Sequence, residues 1–182
     1  MACTSKQNLL LHCCCAPCAC YVIEQLCTEY NVSLLFYNPN IEPYEEYDKR
    51  KNELVKLLQK TSYSAEVVLL DNEYDNATFS NEVSALRDQP ERGQRCTVCF
   101  DLRLSEVARR AKEGAFDVFT TTLSVSPRKD AKLLNEIGRR TADKYGVKYL
   151  EADFKKQDGY KHSINLSSQY GLYRQNYCGC TK

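Results

Sequence analysis

Hydrophobic positions along this chain follow two alternating rhythms. Residues 8–12, 32–37, 65–70, 116–120 and 147–150 are short apolar runs of strand length, closed by turn-forming or polar residues. Between them, apolar residues recur three and four positions apart. Examples are Val22, Ile23 and Leu26 within 19–30, Leu54, Leu57 and Leu58 within 44–59, and Leu104, Val107 and Ala108 within 96–112. Segments 130–145 and 159–170 read as further helices, with a weaker one at 76–86 ahead of the turn-rich stretch 88–95. Strand and helix in alternation predict an α/β fold in three layers, a parallel sheet of about five strands with helices on both faces. With no repeat, low-complexity tract or Gly/Ser linker, residues 1–182 are expected to form a single domain, and 1–7 to be a flexible tail.

That order has a functional consequence. In a parallel sheet the segments that follow the strands gather at one edge, where open α/β folds bind ligands. Three polar segments do so here: His12-Cys13-Cys14-Cys15-Ala16-Pro17-Cys18, the turn Asn38-Pro39-Asn40, and the loop running from Thr120 to Pro127. Pro17 is expected to interrupt regular structure, so that a turn gathers thiols that a strand would point to alternate sides.

The bulk composition is ordinary, with 43% hydrophobic and 27% charged residues and a net charge of +1, which argues neither for nor against nucleic acid. Eleven cysteines are not ordinary. The N-terminus lacks the apolar core of a secretion signal, and no run approaches the length of a membrane span. A reducing cytoplasm and no membrane partner are therefore expected, and in that compartment clustered cysteines hold metal or do chemistry more often than they form structural disulfides.

Two Cys-x-x-Cys pairs, Cys15/Cys18 and Cys96/Cys99, are joined by Cys178 and Cys180 near the far end. At a helix start such a pair shares one face and can bind one centre. Cys20 and Cys27 form an i, i+3, i+7 stripe with Ile23 and read as core; Cys3 lies in the tail, and Cys13 fits either role. Three centres compete. An all-thiolate set in a chain with only two histidines suits an iron–sulfur cluster. Zinc would favour closer pairs and fewer thiols. Cys15-Ala16-Pro17-Cys18 between strand and helix matches the redox pair of a thioredoxin-like dithiol oxidoreductase. A zinc-stabilised RNA-binding module is the non-enzymatic alternative.

The Asn38–Asn40 turn and the Thr-Ser loop read as substrate-facing, against ordinary helix capping. Tyr47 and Arg50 share a helix face that points to the same edge, and Arg174 and Gln175 precede the last cysteines. Lys49/Arg50/Lys51, Arg92/Arg95, Arg109/Arg110, Arg139/Arg140 and Lys155/Lys156 are candidate phosphate contacts, weighed against a plain solvated surface.

Taken together, the His12–Cys18 motif, Tyr37-Asn38-Pro39-Asn40-Ile41 with Tyr47 and Arg50, Cys96-Thr97-Val98-Cys99, Thr120-Thr121-Thr122-Leu123 with Ser126-Pro127 and Lys129, and Tyr177-Cys178-Gly179-Cys180 resemble the QueH family of cobalamin-independent epoxyqueuosine reductases. The resemblance spans residues 9 to 180. It implies a Rossmann-like sheet related to the adenine-nucleotide hydrolase-like (HUP-type) folds, a [4Fe-4S] cluster and a second metal, iron. The implied reaction is reductive removal of the epoxide oxygen of epoxyqueuosine in tRNA, fed by a low-potential electron donor. Cys14, Cys15, Cys18, Cys96, Cys99, Cys178 and Cys180 match the metal-site positions. The division of these thiolates between cluster and single iron stays open. Cys14, Cys15 and Cys18 are expected at the chemistry, with Tyr47 as a candidate proton donor. Asn38, Asn40, Arg50, Thr121, Thr122, Ser126, Lys129, Arg174 and Gln175 are the expected substrate contacts.

Overall fold

Successive side chains of a strand point to opposite faces of its sheet, and the first apolar run divides its residues accordingly. In the computed structural model, which describes residues 6–180, Leu9 and Leu11 join one hydrophobic cluster and Leu10 another. Both faces of this strand, β1 (Gln7–His12), are therefore buried, as a central parallel strand requires. The others are β2 (Tyr30–Leu35), β3 (Val68–Leu70), β4 (Val118–Thr121) and β5 (Lys148–Tyr149), all parallel in the order β3-β2-β1-β4-β5.

The strand order fixes the layers. Connections from β1 to β2 and from β2 to β3 step one way along the sheet, whereas those into β4 and β5 lie on the other side of β1. Right-handed crossovers then place their helices on opposite faces. Helices α1 (Ala16–Leu26) and α2 (Tyr44–Lys60) bury Val22, Ile23, Leu54 and Leu57 against Leu9, Leu11 and Leu34. Helix α4 (Gln94–Glu113) buries Val107, Ala108 and Ala111 against Leu10, Leu35 and Phe119, beside α5 (Ala131–Tyr145). A short α3 (Asn76–Glu82) leans on α4, and α6 (Gly159–Gln169) returns to pack on α1. The sheet changes direction between β1 and β4, the position at which doubly wound folds open a crevice beyond the strand ends.

The three-layer parallel architecture is the expected one; several boundaries differ from the sequence reading. Pro17 starts α1 rather than breaking structure ahead of it. Proline fits the first helical turn, where its missing N–H has no partner to lose. Cys15 is thereby the N-cap and Cys18 sits in the first turn. Residues Ser62–Ala65 form a 3₁₀ turn, so β3 is shorter than expected, and β5 is only two residues long. Gln7, expected in the tail, pairs with Tyr30; Cys3 lies outside the described residues. No helix among the described residues is long and apolar enough to cross a membrane.

Candidate metal centre and its cavity

Residues 13–15 leave β1 at the sheet's change of direction, and hydrogen bonds from both neighbouring strands hold them there. The Cys13 amide donates to Leu35 O (2.9 Å), and the Asn38 side chain donates to Cys13 O (2.9 Å). From the β4 side, Thr122 Oγ1 accepts the Cys14 amide (3.1 Å) and lies 3.3 Å from Cys14 Sγ, to which it donates. With α1 starting at Ala16, the Sγ atoms of Cys14, Cys15 and Cys18 all lie within 4.8 Å of one another, close enough to hold one metal ion. Cys13 points away into the core, as does Cys20, and every described cysteine is a free thiol.

The other four thiols arrive from α4 and the C-terminal segment. Cys96 and Cys99 occupy the first turns of α4 and are buried. Cys178 and Cys180 are placed by a segment tied down through its backbone. Buried Arg50 donates to Cys178 O (3.0 Å) and to Tyr177 O (3.5 Å), and the Glu42 amide donates to Gly179 O (2.9 Å). Gly179 has φ +118°, and a Cβ there would stand 2.8 Å from Ile41, so the Cys-Gly-Cys turn needs glycine. Cys180 packs with Cys99 against Phe79 and Val83. Among the described residues these four do not form an ion-sized group as the first three do.

Two cations hold the thiol groups together electrostatically. Lys129 Nζ donates to Cys178 Sγ at 3.1 Å. Arg103, fully buried one helical turn beyond Cys99, donates from Nη1 toward Cys99 Sγ (3.9 Å) and from Nη2 to Asn38 Oδ1, and its charge also reaches Cys14 and Cys178. Sequence reasoning missed Arg103. The signal was present, since Cys96, Cys99 and Arg103 recur at i, i+3, i+7 on the stripe that carries Phe100 and Leu104.

Proton placement follows from these contacts. Hydrogen bonds from Cys15 and Cys18, with Arg103 and Thr122 assisting against burial, hold the Cys14 thiol well below its usual range. The same hydrogen bond to Cys14 pushes Cys15 up to about 12 and contributes most to raising Cys18. The trio thus holds its negative charge on Cys14. Likewise a hydrogen bond from Cys180, then Lys129 and Arg103, lowers Cys178 despite burial, while Cys180 moves up. Burial raises Cys99. Burial, then Arg103, lowers His12 to about 3, so this imidazole is neutral. Its Nε2 lies 3.0 Å from Tyr37 O and 3.4 Å from the donating Nε of Arg103, and its Nδ1 lies 2.8 Å from Thr121 Oγ1.

A cavity of about 360 Å³ opens over Cys14, Cys15, Cys18 and Cys178. Its lining includes Asn38, Asn40, Arg50, Ser126, Lys129, Arg174 and Gln175 from the expected substrate set. Two buried oxygens, Asn40 Oδ1 and Gln175 Oε1, have no hydrogen-bond partner. Arg174 is held by Ser167 Oγ (2.7 Å) and Arg50 by Glu46 (2.7 Å) and the C-terminal carbonyls, so both arginines are largely committed within the protein. Thr121 and Thr122 are buried and absent from the lining: the first caps a 3₁₀ turn and orients His12, the second holds Cys14. Tyr47 is not brought to the cavity either. It packs against Phe36 and Tyr74, its hydroxyl 3.4 Å from Phe36 O and 3.2 Å from Asn72 Nδ2, because the α2 residue facing the site is Arg50, one turn on. Most of the basic pairs are tied down locally: Arg109 to Glu106 and Glu113, Arg139 to Glu151, Arg140 to Asp101, and buried Arg95 to Arg87 O.

An all-parallel α/β sheet with a three-sulfur group under a polar cavity at its change of direction defines an α/β protein with a thiol metal site. Comparison with known proteins narrows that class. The family described as Epoxyqueuosine reductase QueH matches residues 9–181. Curated relatives under that name include one from Staphylococcus epidermidis, 39% identical over 96% of this chain and 75% of the relative. Those from Haemophilus influenzae and Thermotoga maritima are 38% and 35% identical over 95% of this chain, and over 70% and 88% of their own lengths. The chain belongs to the QueH family, an oxidoreductase family.

Proposed function

We propose that this protein reduces the epoxide of epoxyqueuosine in tRNA to the cyclopentene of queuosine, using a [4Fe-4S] cluster and one further iron. The observation that carries the reading is the gathering of Cys14, Cys15 and Cys18 within ion-binding distance on the floor of the cavity. The donor set fits the implied groups. Three close sulfurs suit a single ion. The four remaining thiols, Cys96, Cys99, Cys178 and Cys180, match the Cys₄ set of a [4Fe-4S] cluster, whose ligands stand apart around a multi-atom body. Converting an epoxide to an alkene and water takes two electrons and two protons; bound iron would supply Lewis-acid assistance and electrons for that step.

The protein's own residues bind and orient. Arg103 and Lys129 offset the charge of the thiolate ligands, and Thr122 fixes the direction of Cys14. Asn40 and Gln175 line the cavity and each carries a buried, unpaired carbonyl oxygen, an acceptor of the kind that substrate hydroxyls satisfy. Burial works to lower the Lys129 pKa, but Cys178 and Cys96 outweigh it, so Nζ keeps its proton. A loop nucleotide extruded from its stack is the kind of RNA site a cavity of this size admits. Free thiols throughout the described chain support a reducing, cytoplasmic setting. The family match and the seven-thiol neighbourhood favour this reading over dithiol exchange or a zinc module.

Anaerobic purification with iron and acid-labile sulfide analysis, followed by nucleoside analysis of tRNA carrying epoxyqueuosine, tests it. Brown, sulfide-bearing protein that converts epoxyqueuosine to queuosine is expected. Colourless zinc protein, or iron–sulfur protein that leaves the epoxide intact under a low-potential reductant, overturns it.

A further inference from the structure

A second cavity, of about 530 Å³, opens beside Cys96 and shares only Pro127, Arg128 and Lys129 with the first. We infer that it is the docking surface for an acidic, low-potential one-electron carrier protein. The inference rests on the iron–sulfur reading above and says where its electrons enter.

Four observations support the assignment. Cys96, one of the proposed cluster ligands, forms part of the cavity wall, so a carrier seated there stands one side chain from the centre it must reduce. The cavity also has apolar surface, Phe100, Pro127 and Leu133, within a charged rim, the layout of a protein interface. The rim's carboxylates are spent internally: Asp130 accepts the Lys132 and Leu133 amides, and Asp153 pairs with Lys155 (2.8 Å). Exposed Arg92 and Lys132 have no side-chain partner among the described residues, which leaves the rim net positive toward an incoming acidic surface. Finally, Arg92 adopts φ +74°, a left-handed conformation costly for a residue with a Cβ, and its amide donates to Cys96 Sγ at 3.3 Å. The rim is thereby tied to a proposed ligand of the cluster.

An RNA backbone is the less suitable occupant, because the cavity offers apolar surface where phosphates need cations. The wall of Pro127, Arg128 and Lys129 lets carrier and tRNA bind at once. In each docking event the carrier is oxidised by one electron and the cluster reduced by one. Two events supply the pair consumed per epoxide, with the two protons coming from solvent.

The test uses the reconstituted full chain and its Arg92→Glu/Lys132→Glu variant. Both are first checked for equal iron and acid-labile sulfide, so a protein that assembles no cluster reports failure of the functional reading instead. Anaerobic stopped-flow follows cluster reduction by a reduced plant-type [2Fe–2S] ferredoxin as the probe, and separately by the reduced methyl viologen cation. At low ionic strength the ferredoxin rate constant should fall about tenfold or more in the variant and lose most of its salt dependence. Viologen reduction should be unchanged or faster. A ferredoxin rate within twofold of wild type overturns the inference, as does wild-type protein that viologen reduces and ferredoxin does not. Weakened tRNA binding with an unaltered ferredoxin rate also overturns it and reassigns the rim to RNA.

Discussion

Replacing Arg103 with methionine should have opposite weight in the metal-free and metal-loaded protein. Methionine retains much of the buried stem and removes the guanidinium. In the metal-free protein, burial raises Cys99, so the attraction left to Arg103 is the longer-range one to Cys14 and Cys178, which its charge helps to lower. The variant loses the partner of Asn38 Oδ1, a cost of about 1–3 kcal/mol, and gains back part of the desolvation of a buried cation. Net destabilisation in urea should be no more than about 2 kcal/mol. If Cys99 is a cluster ligand as proposed, it would be a thiolate when metal binds, and at the present 3.9 Å from Nη1 and an effective dielectric of about 20 that attraction would be worth about 4 kcal/mol. Iron affinity should then fall by about 10³-fold. Competition with a graded series of chelators, followed by iron release, measures it. Arg103→Lys should recover part of the affinity, since charge survives without the planar fork. If Arg103→Met holds iron as firmly as wild type while its urea stability drops by more than about 4 kcal/mol, Arg103 is a packing residue and the electrostatic argument fails.

Three further outcomes follow from the same contacts. Thr122→Val removes the hydroxyl that accepts the Cys14 amide and donates to its sulfur, and should cost about 1–2 kcal/mol in urea unfolding and speed iron release; unchanged release would separate Thr122 from the site. Gly179→Ala forces a Cβ onto Ile41 at φ +118° and should cost at least about 1 kcal/mol and expose the C-terminal segment to limited proteolysis, with wild-type resistance as the refuting result. Lys129→Met should raise the Cys178 thiol, whose folded value lies below the unfolded one of about 8.5. The stability that Cys178 contributes is fully present above the unfolded value and is lost as pH falls through the folded one; the variant should lose the part that Lys129 supplies, leaving the part from Cys180, and alkylate Cys178 more slowly with iodoacetamide at neutral pH. An unmoved labelling profile would show that Lys129 does not hold the charge.

The fold was legible because both faces of a parallel sheet are buried, so strand runs and helical stripes stand out. Boundaries failed where one residue has two local meanings. Pro17 breaks a helix interior but starts a helix end, and only the surrounding chain selects between them. The group of Cys14, Cys15 and Cys18 was legible by type and clustering. Roles resting on hydrogen-bond direction were not: Thr121 and Thr122 read as substrate contacts because polar loop residues at a sheet edge usually face solvent, yet their hydroxyls turn inward to His12 and Cys14. Tyr47 and Arg50 share a helix face, but one turn of offset sends one under Phe36 and the other to the C-terminal backbone.

Arg103 shows why the counter-charge was harder to see than the ligands. A net charge of +1 conceals how charges are distributed, and an arginine on an apolar stripe reads as an irregularity until the thiols beside it are placed. Helix α4 supplies both parts: Cys99 as a proposed ligand and, one turn later, the cation that makes a thiolate tolerable in a buried site. Through Asn38, whose amide holds Cys13 O while its oxygen accepts from Arg103, the same cation is fastened to the loop that carries Cys14. The two thiol groups are therefore joined through Asn38 and Arg103 even without metal. Shifts of α4 must move proposed ligand, charge and loop together, which explains how segments so distant in sequence keep a common geometry.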